Sequence, residues 1–472
     1  MPAILSTLLM VIYSVMVVGV ILVIITDNRN PLKSLPWMLV LILVPVVGLV
    51  LYFFFGQDLS KRRIISRRTH KRITTQLEAE NPTNCFEGIP ERHLPLAHLL
   101  NNSAKAIPLH GSRIETYTSG EEKMEALLTA IRRAKHHIHL QYYILLDDAT
   151  GRRLCEALIE RARAGVAVRV LYDDVGSHPN PKLLIQRLQE AGVEIYPFLP
   201  VRFPVFTSKV NYRNHRKIVV IDGLVGFLGG MNIADRYVEG LKWGSWRDNH
   251  FRVEGRGVAG LQASFLSDWS ATTQQCLTSA TYYPPQQHYT EGVLQLLPSG
   301  PFGKWRTLLQ ADSLAISQAR QRIWIQTPYY LPSEVFDTAL KTAALAGVDV
   351  RLMLPERSDA SVVNLASHSY LDDLLRAGVK VLFYRPGFLH AKLLLIDDSL
   401  AVIGSANLDF RSFEHNFEIT GFVYDREFVA RIEKIFEQDS ACAARLLPRI
   451  WFRRSRLTRL FESLMRLFAP LL

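Results

Sequence analysis

His215-Arg-Lys217-Ile-Val-Val-Ile-Asp222 and, later in the chain, His390-Ala-Lys392-Leu-Leu-Leu-Ile-Asp397 are one pattern written twice. Gly229-Gly230-Met-Asn232 follows the first copy and Gly404-Ser405-Ala-Asn407 the second. In both, His to Lys is two residues, Lys to Asp five, Asp to Gly seven and His to Asn seventeen. A strand turns alternate residues to opposite faces, so the His and Lys of each copy point the same way. The apolar run after each Lys buries the strand. Two such strands meeting about a pseudo-twofold axis bring two imidazoles and two ammonium groups around one point. Asn232 and Asn407, with the small residues Gly230 and Ser405 before them, are candidates for binding substrate in the next turn, where backbone approaches a ligand closely.

The surrounding sequence is duplicated too. Ala319-Arg-Gln-Arg-Ile-Trp-Ile-Gln-Thr-Pro-Tyr-Tyr echoes Ala134-Lys-His-His-Ile-His-Leu-Gln-Tyr-Tyr, and Ala346-Gly-Val-Asp-Val-Arg-Leu echoes Ala164-Gly-Val-Ala-Val-Arg-Val. Offsets this long mean a duplicated domain rather than a short-repeat solenoid. Helical periodicity at Met124–Ala134 and Leu154–Arg163 alternates with strand-like runs from Ile138 and Val166. That alternation predicts an α/β fold, two lobes of mixed sheet flanked by helices. The first half carries 13 extra residues before its motif, around Pro197-Phe-Leu-Pro-Val-Arg-Phe-Pro-Val-Phe. They read either as a lip touching a bilayer or as a packed loop.

Two His and two Lys suit a phosphate diester. The lysines neutralise non-bridging oxygens, and asparagine amides add hydrogen bonds as charge builds. One imidazole attacks phosphorus to give a phosphohistidine, while the other protonates the leaving alkoxide and then deprotonates the incoming alcohol. Both protonation states of imidazole are within reach near pH 7. No cofactor is required, and no carboxylate cluster suggests a metal. Asp222 and Asp397 complete the catalytic motifs and are expected to buttress strands and loops rather than react. His250 and His415 read as structural, and Tyr142-Tyr143 with Tyr329-Tyr330 as core packing.

Through both motifs the sequence resembles the phospholipase D superfamily. Arg29-Asn-Pro-Leu-Lys, Trp37, Pro45-Val-Val-Gly48 and Tyr52-Phe-Phe-Phe-Gly56 resemble the N-terminal membrane module of bacterial cardiolipin synthases. Met231-Asn-Ile-Ala-Asp235, Trp246-Arg-Asp248, Pro298-Ser-Gly-Pro301 and the closing Leu-Phe-Ala-Pro-Leu-Leu extend the likeness. The resemblance implies that two phosphatidylglycerols give cardiolipin and glycerol, with His215 as nucleophile and His390 as acid and base. It also implies a downstream carboxylate orienting each histidine. Asp248 and Glu418, 33 and 28 residues after their own histidines, match best. A water-using phospholipase D or another phosphatidyltransferase would share these motifs, because acceptor choice lives in loops.

Charge and hydropathy point to a membrane. Of a net +11, residues 61–72 contribute seven basic side chains and no acid, and the tail from Arg449 adds six arginines against Glu462. The rest is near neutral, which disfavours a nucleic-acid groove and favours anionic lipid head groups as partners. Ile4–Thr26 and Leu35–Phe55 are each apolar for over twenty residues, enough to cross about 30 Å of hydrocarbon. They predict a two-helix transmembrane hairpin over 1–56. The positive-inside rule then puts the body in the cytoplasm of a bacterial inner membrane, multi-pass. A basic juxtamembrane linker (57–106), lobe 1 (107–290), lobe 2 (291–445) and a basic amphipathic tail (446–472) follow. The tail is expected in the interface plane or packed on the body. Cys85, Cys155, Cys276 and Cys442 lack C-x-x-C spacing and read as ordinary thiols. Oligomeric state is not encoded in any motif.

Overall fold

Ile218-Val-Val-Ile221 and Leu393-Leu-Leu-Ile396 are short β-prone runs buried on both faces, and each becomes the central strand of a sheet. The computed structural model describes residues 2–26, 31–44, 46–56, 63–79, 85–179, 181–201, 211–289 and 292–469. Outside these lie residues 27–30 of the first loop, Pro45, Lys61 and Arg62, residues 202–210 of the apolar insert, and the closing 470–472.

The first sheet has seven strands in the order Ser112–Tyr117, His250–Gly255, Val225–Gly229, Ile218–Ile221, His137–Tyr142, Ala167–Asp173, Glu194–Phe198. The second has nine: Pro108–His110, Val293–Ser299, Glu418–Tyr424, Leu400–Gly404, Leu393–Ile396, Arg322–Gln326, Asp349–Pro355, Lys380–Tyr384, Ala443–Arg445. Leaving out its two outermost strands, the second sheet follows the order of the first. In both, the motif strand is antiparallel to its two neighbours, and the three strands beyond it run parallel. Helices cover the outer faces. The inner faces pack on each other through Ile218, Val220, Phe251 and Val253 of the first sheet and Leu393, Leu395, Ile419 and Val423 of the second.

Three boundaries differ from the sequence reading. Pro108–His110 pairs with Val293–Ser299 and so belongs to the second sheet, not to lobe 1. Within the expected linker, the helix Leu94–Ala104 buries Leu96, Ala97 and Leu100 in the core of the second lobe. The amide of Gln295 donates to the Ala97 and Ala106 carbonyls and ties the helix down. The third difference is in the membrane module. Pro2–Thr26 is one 25-residue helix, but the second apolar run is broken into Pro31–Leu43, Val47–Leu51 and a π-turn at Tyr52–Gly56. Among the described residues only the first helix is long and apolar enough to cross a bilayer. Apolar composition measures affinity for hydrocarbon and does not record a chain reversal.

The tail packs on the body with its polar side inward. Arg454 pairs with Asp372 and the buried Glu462, Arg459 reaches Asp372, and Arg466 covers the Tyr370 ring. On the helix Arg456–Arg466 and just past it, Leu457, Leu460, Phe461, Leu464 and Leu467 are exposed at helical spacing.

Candidate active site

The two motif strands end at the seam between the lobes, and each histidine is pinned there by the opposite lobe. The His215 N–H donates to the Phe417 carbonyl at 2.9 Å, beside a bridge pairing Asn214 with Phe417. The His390 N–H donates to the Arg247 carbonyl at 2.7 Å, at the end of a two-stranded pairing of Gly387–Leu389 with Ser245–Arg247. In each case the accepting carbonyl immediately precedes a buried carboxylate, Glu418 or Asp248. His215 Nδ1 lies 3.0 and 3.1 Å from the Glu418 oxygens, and His390 Nδ1 lies 2.6 Å from Asp248 Oδ2. The orienting pairs are therefore crossed. The family resemblance implied Asp248 for His215 and Glu418 for His390; docking of the lobes exchanges them. With Nδ1 bound to a carboxylate, Nε2 of each ring is left for the reacting atoms.

Both carboxylates are fully buried and held by several donors. Ser405 and Ser412 hydroxyls donate to Glu418, and the Asn249 N–H donates to Asp248. Burial works against the charged form of Asp248, yet Lys392 and His390 hold its carboxyl below the usual range. Burial likewise opposes Glu418, and His215 and Lys217 keep it low. Lys217 donates to the His215 carbonyl at 2.7 Å, and Lys392 to that of His390. Burial pulls Lys217 down to about 7 and Lys392 to about 8. Burial also lowers both imidazoles, helped at His215 by Lys217 and Lys392 and at His390 by Lys392 and Lys217. The charges of each motif thus act on the histidine of the other, and the two copies form one electrostatic cluster.

These lysines set an expected pH dependence. An amine lowered to 7–8 carries charge below that value and loses it above. kcat/KM on a phosphodiester, which reports the free enzyme, should therefore fall as pH rises through about 7–8. A profile flat to pH 10 would show that the lysine charges do not assist.

The other expected site residues have different positions. Asp222 and Asp397 sit at the far ends of the motif strands with φ of 54° and 52°. Asp222 accepts from the N–H groups of Lys135, His136 and His137, and Asp397 from those of Arg320, Gln321 and Arg322. Both lock a motif strand to its neighbour. Gly230 and Ser405, expected to bind substrate, are committed inside the protein: their N–H groups donate to Asn249 and Ile419 carbonyls. A Cβ on Gly230 would lie 2.1 Å from Asp248 Oδ1, so this glycine makes room for the carboxylate. Asn232 is likewise engaged, accepting from the Ile144 N–H and donating to the Tyr237 hydroxyl. Asn407 donates to Asp409.

Aromatic rings line the two histidines. Tyr143 stands edge-on to His215 at 5.0 Å, while Trp246, Phe388 and Tyr237 surround His390 at 5.1, 5.6 and 6.1 Å. Tyr142 and Tyr330 are core residues as expected, and Tyr143 and Tyr329 are partly buried, packed against the cluster of Ile144, Met231, Trp246 and Phe388. His250 is buried beneath the site, and the His415 ring lies tilted against Tyr212 at 5.9 Å. Sequence reasoning missed Arg216. It lies between His215 and Lys217, just before the strand Ile218–Ile221. There it pairs with Asp268 through both carboxylate oxygens and donates to the Glu418 and Ser299 carbonyls, which ties the first motif to the second lobe.

The family profile described as "Cardiolipin synthase, PLD-like domain" matches residues 127–269 and 314–440, and "Phospholipase_D-nuclease N-terminal" matches 15–57. "Cardiolipin synthase 2" of Bacillus cereus is 41% identical over 458 residues, covering 95% of this chain and 89% of that protein. "Cardiolipin synthase" of Geobacillus sp. is 40% identical over 470 residues, covering 98% and 94%. Among solved structures, phosphatidylserine synthase of Haemophilus influenzae superposes with a TM-score of 0.60 at 17% identity, covering 81% of this chain and 98% of that one. At that identity it speaks for the fold alone.

Proposed function

Because this chain belongs to the family of phospholipase D-like cardiolipin synthases, we propose that it joins two phosphatidylglycerol molecules into cardiolipin and releases glycerol. The reading rests on two imidazoles from different lobes, each with Nδ1 on a buried carboxylate, and on two buried lysines that act on both. The same strand order in the two sheets supports treating the lobes as a pseudo-twofold pair around this centre.

His215 Nε2 attacks the phosphorus of the first lipid. The P–O bond to the head-group glycerol breaks, and His390 gives its Nε2 proton to the leaving oxygen. Glycerol departs, and a hydroxyl on the head group of a second phosphatidylglycerol passes its proton to His390 and attacks. The P–N bond breaks, returning the His215 lone pair and leaving cardiolipin. In the empty site burial keeps both imidazoles neutral. The anion of an entering phosphodiester favours the charged form of a neighbouring imidazole, so His390 takes up its proton from solvent as substrate binds. Water is kept from the phosphohistidine by the closely packed aromatic rings around the histidines.

The protein is a membrane-associated phosphatidyltransferase, anchored by its N-terminal apolar helix. The finer reading is that the catalytic body faces the cytoplasm of a bacterial inner membrane, where the basic residues 63–72 and the outward apolar stripe of the tail meet anionic lipid. Incubating purified protein with labelled phosphatidylglycerol alone tests the reaction. Cardiolipin with equimolar glycerol is expected; phosphatidic acid as sole lipid product would make it a hydrolase.

A further inference from the structure

The membrane module contains a chain reversal that hydropathy alone does not reveal. Were residues 31–56 one helix, Trp37 and Tyr52 would stand about 22 Å apart along its axis. Their ring centroids are instead 5.6 Å apart, edge to face. Val40 and Gly48 would be separated by about 12 Å, yet a Cβ on Gly48 would fall 2.6 Å from the Val40 carbonyl oxygen. Val46 has a φ of 63°, outside helical geometry. The run therefore reverses direction between the helices Pro31–Leu43 and Val47–Leu51.

Depth is fixed by the first helix. The Tyr13 hydroxyl donates to the Leu41 carbonyl at 3.0 Å, one of the carbonyls that the helix end at Leu43 leaves without an intrahelical partner. Tyr13 is halfway along Pro2–Thr26, so Leu41 sits level with the middle of that helix. The two limbs, Pro31–Leu43 and Val47–Gly56, are about 20 and 15 Å long, and neither crosses about 30 Å of hydrocarbon. The tip is apolar and bare: Leu43, Val44, Val46 and Val47 are all exposed, which suits acyl chains and not water.

Charge selects the orientation. Arg29 and Lys33 lie in sequence between the first and second apolar runs, and seven basic residues occupy 61–72. Two full crossings would put these groups on opposite sides. A reversal puts all of them on one side.

We propose that the chain crosses the bilayer once, and that residues 31–56 form a re-entrant helical wedge among the acyl chains of the leaflet facing the catalytic body. This rests on the membrane anchoring described above and replaces the two-span hairpin. The N-terminus lies across the membrane from the active site, and the wedge displaces lipid in the leaflet that supplies substrate.

The test uses the full chain in membranes. Variants carrying one cysteine each (Ala3→Cys, Asn30→Cys, Val46→Cys, or native Cys442 alone as marker of the body's face) are treated with a membrane-impermeant maleimide in sealed right-side-out and inverted vesicles. The proposal expects Asn30→Cys to be tagged from the same face as Cys442 and Ala3→Cys from the other. Val46→Cys should be tagged from neither until detergent is added. Ala3→Cys tagged with Cys442 and Asn30→Cys from the opposite face would restore two spans and overturn the wedge. Equal tagging of one position from both faces would overturn it too. Release of the chain from membranes by alkaline carbonate would instead remove the anchoring reading.

Discussion

His215→Ala and His390→Ala are each expected to lower cardiolipin formation by about 10⁴-fold or more, and the double variant by little beyond that. Groups that act as one unit lose most of their effect when any member is removed. Both side chains are under 10% exposed and small, so the variants should remain folded and membrane-bound. A substrate with a better leaving group separates the two roles. A phosphatidyl ester of 4-nitrophenol needs little protonation to depart. His390→Ala should therefore release nitrophenol in a single stoichiometric burst and retain lipid on His215. His215→Ala should give no burst. A burst from His215→Ala and none from His390→Ala would exchange the roles. Normal turnover in either variant would remove the two-histidine mechanism.

The crossed carboxylates give the second large effect. Replacing a carboxylate that fixes an imidazole tautomer by its amide costs about 10⁴-fold in kcat in a serine protease. Glu418→Gln and Asp248→Asn should each lose roughly 10³–10⁴-fold here on that precedent. The nitrophenyl ester again tells them apart. Glu418→Gln should slow the burst itself, because Glu418 orients the attacking His215. Asp248→Asn should leave the burst near the unmodified rate and slow the release of lipid to the acceptor, because Asp248 serves His390. With His215 established as the nucleophile by the first experiment, the reverse pattern is the outcome of pairing within each motif, and it would contradict the geometry.

Much of this centre was legible in the sequence because it is local. The burial of each motif strand and the repeated α/β segments follow from strand patterning and duplication, although each His–Lys step lies just before its strand, Ile218–Ile221 or Leu393–Ile396, and not on it. Asp248 and Glu418 were also identifiable as carboxylates. Which histidine each serves was not, since the contacts span 142 and 203 residues and exist only once the lobes dock. The fate of Leu94–Ala104 was hidden for a related reason: its apolar residues find their partner in a lobe that begins about 190 residues later. Ser405 and Gly230 looked like ligand-facing small residues, but the space they leave is filled by carboxylates. On the tail, helical spacing revealed an apolar stripe but not that arginine–carboxylate pairs would turn the polar side inward.

The exchange of carboxylates between lobes carries a safeguard. If the seam opens, His215 and His390 both lose tautomer control in the same event, so a loosened or half-folded chain has no competent nucleophile with which to cleave the lipids around it. Cleavage of lipid is thereby confined to the chain whose two lobes are docked.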